Sequence, residues 1–358
     1  MAKKKEESPS VELTKEDFIK RLKSEITKEF GQGVFKHGNS ILDRQTKIVK
    51  WSPSLDNGLS GGVPLGSWMS ISGPEKHGKT YVTLCLAAAI QKQYDLPIVY
   101  LNVEGRLKRM NLLGVNGLDI SEDKFIVIES TVEKTLSTQD YLKIAEKWLR
   151  TCPCMIIIDS VSSLADEKEL TDGLGTMTRG HNNVVISQFI TLVGQLVGPS
   201  QSVVVGIIQD YANTSGYGAA SKEKAATKWK YQADIAIRMK KFDKWMIGSD
   251  ENGKIIGQIV HADIRTSALG NPFNEIDVYL RFGYGIDKSF ENMKAAESCG
   301  LINKAGAWYT LDFLNGVEEF MVNGEPPKKQ GSENCALFLR ENEKAYDLLC
   351  QKLKEMLS

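Results

Sequence analysis

One eight-residue stretch constrains this chain more than anything else in it. Gly73-Pro74-Glu75-Lys76-His77-Gly78-Lys79-Thr80 fits the pattern G-x-x-x-x-G-K-[ST]. An apolar run, Trp68–Ser72, precedes it, and a helical pattern, Tyr81–Gln93, follows. A strand that turns through glycines into a helix start aims backbone N–H groups and a positive dipole end at phosphate. Lys79 is expected to reach the β- and γ-phosphates, and the Thr80 hydroxyl to ligate Mg²⁺. The loop, with Tyr81 directly behind it, is the expected ATP cradle. Such a cradle belongs to an α/β fold with a mostly parallel central sheet.

The rest of the chain agrees with that fold. Short apolar runs recur at Ile98–Val103, Phe125–Ile128, Met155–Ile158, Val203–Ile208, Ile235–Met239, Gln258–Ala262 and Ile276–Arg281. Runs such as MIII and VVVGII read as strands buried on both faces. The early runs are separated by helix-length segments, which predicts parallel βαβ units; the later ones lie closer together, as antiparallel strands do. Before the sheet, Thr14 can cap a helix, Leu13 can staple onto Phe18, and Phe18, Leu22, Ile26 and Phe30 form an apolar stripe ending near Gly31. That stripe needs a surface, either on its own domain or on a neighbouring subunit. The texture changes near residue 287, and the chain ends in a helical pattern, Glu343–Leu357. The expected organisation is an N-terminal tail and oligomerisation helix over 1–35, an ATPase core over 36–286, and a small α/β C-terminal domain over 287–358.

Three strand ends supply candidate chemistry, because ligands of open α/β sheets sit at the carboxyl ends of strands. Asp159 closes MIIID and is the expected second handle on the magnesium. Glu104 closes IVYLNVE and is the candidate general base. Gln209 closes SVVVGIIQ, where its amide can contact a γ-phosphate and move on hydrolysis.

With 45 Lys plus Arg against 45 Asp plus Glu, the formal net charge is zero, so bulk charge does not make this chain a cationic coat for nucleic acid. The hydrophobic share of 42% excludes a disordered chain, and no apolar run reaches membrane-spanning length. The six cysteines lack metal-ligand spacing and read as free thiols of a reducing cytoplasm. Charge is nevertheless uneven: Ser221–Trp245 carries net +5. Just before it, straight after Gln209, the stretch Asp210–Lys228 is rich in Gly, Ser, Ala and Asn and holds Tyr211 and Tyr217. A long loop of that composition flags function. Lys222, Lys224 and Lys228 can neutralise phosphates, and the tyrosines can wedge between bases.

The order and spacing of these pieces resemble the RecA family of DNA recombinases over roughly residues 40–358. SPSLDNGLSGGVPLGSWMSISGPEKHGKT looks like that family's approach to its phosphate loop. Glu104 matches its catalytic glutamate, Asp159-Ser160-Val161 its second metal motif, and Gln209 the glutamine that signals nucleotide state to DNA. Lys304-Ala305-Gly306-Ala307-Trp308-Tyr309 is similar to a run peculiar to the bacterial type, and the N-terminal helix looks more like the phage branch. The resemblance implies an ATPase whose helical filament winds on single-stranded DNA, with ATP between subunits, and exchanges strands with a homologous duplex. It also implies single-stranded-DNA-binding and mediator proteins as partners, no membrane, and a bacterial or phage-infected cytoplasm. It places a first DNA loop at Ala165–Arg179, containing Met177 and Arg179. Three departures stand out. Lys108 and Asn111 occupy the family's adenine positions, which are acidic and tyrosine there. The paired lysines that reach a neighbour's γ-phosphate have only Lys230 and Arg265 as counterparts. The family's acidic tail is missing. A hexameric RecA-fold DNA helicase is the alternative reading, and an ATP-gated assembly protein without DNA a third.

Overall fold

The computed structural model describes residues 14–36, 38–39, 46–165, 181–212, 221–223, 227–247, 253–272 and 274–357. The chain forms two compact units, Met1–Lys47 and Ile48–Ser358. The first contains α1 (Lys15–Phe30). Thr14 caps it as expected: its hydroxyl accepts from the Asp17 N–H at 3.3 Å and donates to the Asp17 carboxylate at 2.7 Å. Gly31, at φ 94°, ends it. Phe18, Leu22 and Phe30 of the stripe are exposed. Leu13 lies outside the described residues.

The second unit opens with β1 (Ile48–Val49), α2 (Pro53–Gly58), β2 (Val63–Pro64) and β3 (Trp68–Gly73). Then follow α3 (Lys79–Tyr94), β4 (Ile98–Asn102), α4 (Arg109–Leu113), β5 (Phe125–Ile128), α5 (Thr138–Thr151) and β6 (Met155–Asp159). After these come α6 (His181–Ser200), β7 (Val203–Ala212), β8 (Ser221–Glu223), α7 (Thr227–Gln232), β9 (Ile235–Ile247), β10 (Lys254–Thr266), β11 (Asn274–Arg281) and β12 (Gly285–Ile286). The chain closes with α8 (Lys288–Ser298), β13 (Asn303–Ala305), β14 (Trp308–Thr310), β15 (Lys328–Gln330), α9 (Ser332–Glu341) and α10 (Glu343–Leu357).

The large sheet runs β12-β11-β10-β9-β3-β7-β6-β4-β5, with β8 folded back on β7. From β5 to β9 every pairing is parallel, and β9 through β12 are antiparallel. The apolar runs are buried on both faces for a visible reason. Met155 and Ile157 point into a core closed by α3, while Ile156 and Ile158 point into one closed by α5 and α6. Trp68, Phe189 and Trp229 pack in the second of these.

Two regions differ from expectation. β9 and β10 run to Ile247 and from Lys254, well past the expected Met239 and Gln258, and form a long hairpin. The polar run Lys240-Lys241-Phe242-Asp243-Lys244 is strand because its charges find cross-strand partners: Lys240 meets Glu275 at 2.6 Å and Asp263 at 3.6 Å. The stretch Asp210–Lys228 is also not wholly loop. Asp210, Tyr211 and Ala212 pair with Glu223, Lys222 and Ser221, and α7 starts at Thr227.

The hairpin bridges two regions. Phe242 packs edge-on against His77 of the phosphate loop at 5.1 Å. Trp245 is buried in a third cluster with Phe290, Met293, Phe313, Leu339 and Leu349 of the C-terminal segment. Arg281 stacks on Trp245 at 4.7 Å and bonds to Asp287 and Glu333.

Candidate active site

The carboxyl edge of the parallel strands holds a cavity of about 630 Å³. Its floor is the phosphate loop between β3 and α3. Gly73 has φ 143°, and a Cβ there would sit 2.3 Å from the Met239 carbonyl oxygen; Gly78 has φ 79°, and a Cβ there would meet Leu280 at 2.5 Å. Gly73 is therefore required by space as well as by backbone angle, and Gly78 above all by its backbone angle. Glu75, Lys76, Gly78, Lys79, Thr80 and Tyr81 line the cavity. His77 Nδ1 lies 2.6 Å from the Glu75 carbonyl oxygen, which draws the loop over itself.

Lys79 is buried, and its Nζ donates to the carbonyl oxygens of Gly73 at 2.8 Å and Pro74 at 2.6 Å. Burial lowers its pKa, against the pull of Asp159, Asp210, Glu104 and Glu75. The register places Gly73 beside Gln209 and Asn102 beside Asp159. Asp159 ends β6 and Glu104 follows β4, whereas β7 runs on past Gln209 to Ala212 because it pairs there with β8; the three residues still converge on one rim.

Thr80 Oγ1 donates to Asp159 Oδ2 at 2.9 Å. Tyr100, on β4, donates to the same oxygen at 2.5 Å. Burial raises the Asp159 pKa, and the bonds from Tyr100 and Thr80 oppose it. A hydroxyl and a carboxylate so close at the mouth of a phosphate loop are hard oxygen donors, which suit Mg²⁺ sharing its shell with phosphates and water. Among the described residues no cluster of three or more His, Cys, Asp or Glu is found.

Glu104 lies just beyond β4. Its Oε1 accepts from Ser160 Oγ at 2.6 Å, from Ser163 Oγ at 3.0 Å and from Gln209 Nε2. Its Oε2 faces Arg106 Nη1 at 3.6 Å. The Gln209 backbone N–H donates to Ser162 Oγ at 2.8 Å. Tyr100, Ser163 and Arg106 did not stand out in the sequence, and Ser160 did so only as part of the Asp159-Ser160-Val161 run. Tyr100 reads there as a core aromatic of an apolar strand, and the two serines acquire meaning only when β6 lies beside β4. Arg106 carries one local signal that could have marked it, its position two residues past Glu104.

The remaining candidates fall elsewhere. Tyr211 and Lys222 are register partners in the backbone pairing of β7 with β8. Lys228 Nζ donates to the Ser187 carbonyl at 3.1 Å and to the Thr191 hydroxyl, so it docks on α6. Arg238 is paired with Asp210 at 2.7 Å. Lys230 lies in α7, and Arg265, near the end of β10, is 3.8 Å from Asp263; neither lines the cavity. Met177, Arg179, Tyr217 and Lys224 lie outside the described residues. Lys108 is the N-cap residue of α4, and Asn111 lines the cavity. All six cysteines are free. No helix among the described residues is long and apolar enough to cross a membrane.

Residues 17–287 match the family model described as the RecA N-terminal domain. Protein RecA of Treponema denticola is 26% identical over 367 residues, covering 100% of this chain and 82% of that protein. Protein RecA of Campylobacter fetus is 28% identical over 338 residues, covering 92% and 90%. Chromosomal Protein RecA of Lactococcus lactis is 26% identical over 339 residues, covering 92% and 81%.

Proposed function

The chain belongs to the RecA family of recombinases, which are DNA-dependent ATPases, and from that premise we propose how this member works. ATP binds in the cavity at the carboxyl edge of the sheet and is hydrolysed there. Lys79 leaves the Gly73 and Pro74 carbonyls for the β- and γ-phosphates. Thr80 and Asp159 would hold Mg²⁺, which when bound neutralises phosphate charge. Glu104 takes the proton of the attacking water, with Ser160 and Ser163 fixing its carboxylate. Gln209 reads whether the γ-phosphate is present and passes that state along β7 toward the segment bearing Tyr211, Tyr217, Lys222, Lys224 and Lys228.

The observation that carries this reading is the meeting of Glu104, Gln209, Asp159 and the phosphate loop at one rim, from four separate strands. On the same reading the protein forms a helical filament on single-stranded DNA and pairs it with a homologous duplex. Met177 and Arg179 contribute the other DNA-contacting loop, and Lys230 or Arg265 reaches a neighbour's nucleotide. Single-stranded-DNA-binding and mediator proteins of a bacterial or phage-infected cytoplasm are its partners.

Strand exchange measured with homologous and heterologous duplexes tests this. Joint molecules formed only with the homologous duplex and ATP support it. DNA unwinding by closed rings, visible by electron microscopy, would instead favour the helicase alternative, for which the family match gives no support.

A further inference from the structure

Arg106 stands between the phosphate loop and the proposed base. A single nitrogen, Nη1, lies 3.6 Å from Glu75 Oε1 and 3.6 Å from Glu104 Oε2. The side chain is 69% exposed. Ion pairs this loose and this wet are worth about 0–1 kcal/mol, so they do not hold the fold together and are readily given up. Their location matters more than their strength. The three hydroxyl and amide donors to Glu104 all converge on Oε1. Oε2 is the oxygen left to accept a proton from water, and it is the one Arg106 covers.

Of the other cations lining the cavity, Arg281 is bonded to Asp287 and Glu333, while Lys76 and Lys79 belong to the phosphate loop itself, with Lys79 buried on that loop's carbonyls. A γ-phosphate entering this cavity would approach Glu75 and Glu104, two carboxylates that repel it. Arg106 already lies between them, and a guanidinium prefers a phosphate oxygen in a bidentate fork to two distant carboxylates.

Resting on the reading of this cavity as an ATP-hydrolysing site, we infer that Arg106 is a γ-phosphate-sensing catalytic residue supplied from within the same subunit. With ADP or no nucleotide it stays on Glu104 Oε2 and masks the base. When ATP binds, it moves onto the γ-phosphate, stabilises the charge that develops there and leaves Oε2 open. The water oxygen then bonds to the γ-phosphorus, and the water proton passes to Glu104 Oε2. The bond from that phosphorus to the β–γ bridging oxygen breaks, its electron pair departing with ADP.

The test uses the full chain, with steady-state ATP hydrolysis and equilibrium binding of ADP and of a non-hydrolysable ATP analogue. Arg106→Ala should lower kcat by about 10²-fold. It should reduce the preference for the analogue over ADP by about tenfold, with ADP affinity unchanged. Arg106→Lys, which keeps the charge but not the fork, should recover part of both. An unchanged kcat and an unchanged analogue-to-ADP ratio would overturn the inference. So would an equal loss of affinity for both nucleotides, which would make Arg106 a shaper of the pocket. Normal turnover by Glu104→Gln would sink the underlying assignment of the base instead. In that background the effect of Arg106→Ala on the binding ratio still reads the phosphate contact by itself.

Discussion

The side-chain amide of Gln209 donates to the same oxygen of Glu104 that accepts from Ser160 and Ser163. Gln209 lies on β7 and Glu104 just beyond β4, with β6 between those two strands. A change in what Glu104 contacts is therefore felt at once by β7, whose far end pairs with β8.

If that bond couples nucleotide to DNA, Gln209→Ala should bind ATP normally yet lose the ATP dependence of its DNA affinity. Fluorescence anisotropy of labelled single-stranded DNA, with and without an ATP analogue, measures it. A variant whose DNA affinity still rises with the analogue as in the parent would disprove the coupling.

Glu104→Gln keeps the shape of the side chain and removes the acceptor of a proton. It should form filaments on DNA but hydrolyse ATP about 10²–10⁴-fold more slowly. Lys79→Ala, in contrast, should lose nucleotide-dependent DNA binding altogether. Electron microscopy and phosphate release separate the two outcomes.

Gly206 lies on β7 against the buried ring of Trp229, and a Cβ there would sit 2.3 Å from that ring. Gly206→Ala should cost about 1–3 kcal/mol of stability by overpacking. Because Trp229 belongs to α7, the strain should fall on the segment joining β8 to β9. Thermal unfolding gives the first effect, and the protease sensitivity of that segment gives the second.

Glu291 is buried on α8, accepting from Ser52 Oγ at 2.7 Å and from the N–H groups of Ser54 and Tyr279. Burial pushes its pKa to about 7, and that of nearby Asp56 likewise to about 7, from ordinary values of 4.5 and 3.8. The folded state thus favours the protonated forms. The stability they contribute is complete below about pH 4 and is lost as pH rises through about 7. Glu291→Gln removes one of the two titrations. Between pH 5 and pH 8 the parent should lose on the order of 1–3 kcal/mol more stability than the variant. Denaturant melts at the two pH values test the sign.

Much of the site could be read from the chain because its signals are local. The phosphate loop is contiguous, and Glu104, Asp159 and Gln209 are visible where an apolar run stops. What could not be read depends on partners distant in sequence. The charged run of β9 looks like loop until Asp263, Glu275 and His261 are brought beside it, with His261 lying 2.8 Å from Asp243 and 2.6 Å from Asp277. Tyr100 looks like any core aromatic until β6 delivers Asp159 to its hydroxyl. The lysine-rich segment looks like open positive charge until Lys228 is found on α6 and Arg238 on Asp210.

Trp245 carries one last consequence. The family match ends at residue 287, which suggests a place where the chain can be cut. The packing of Trp245 against Phe290, of Arg281 against Glu333, and of Ser52 on Glu291 crosses that line. Shared ancestry and folding cooperativity therefore draw different borders in this molecule. A protein ended at 287 would leave an indole uncovered on the very hairpin that steadies His77, so the tail segment supports the loop that floors the cavity.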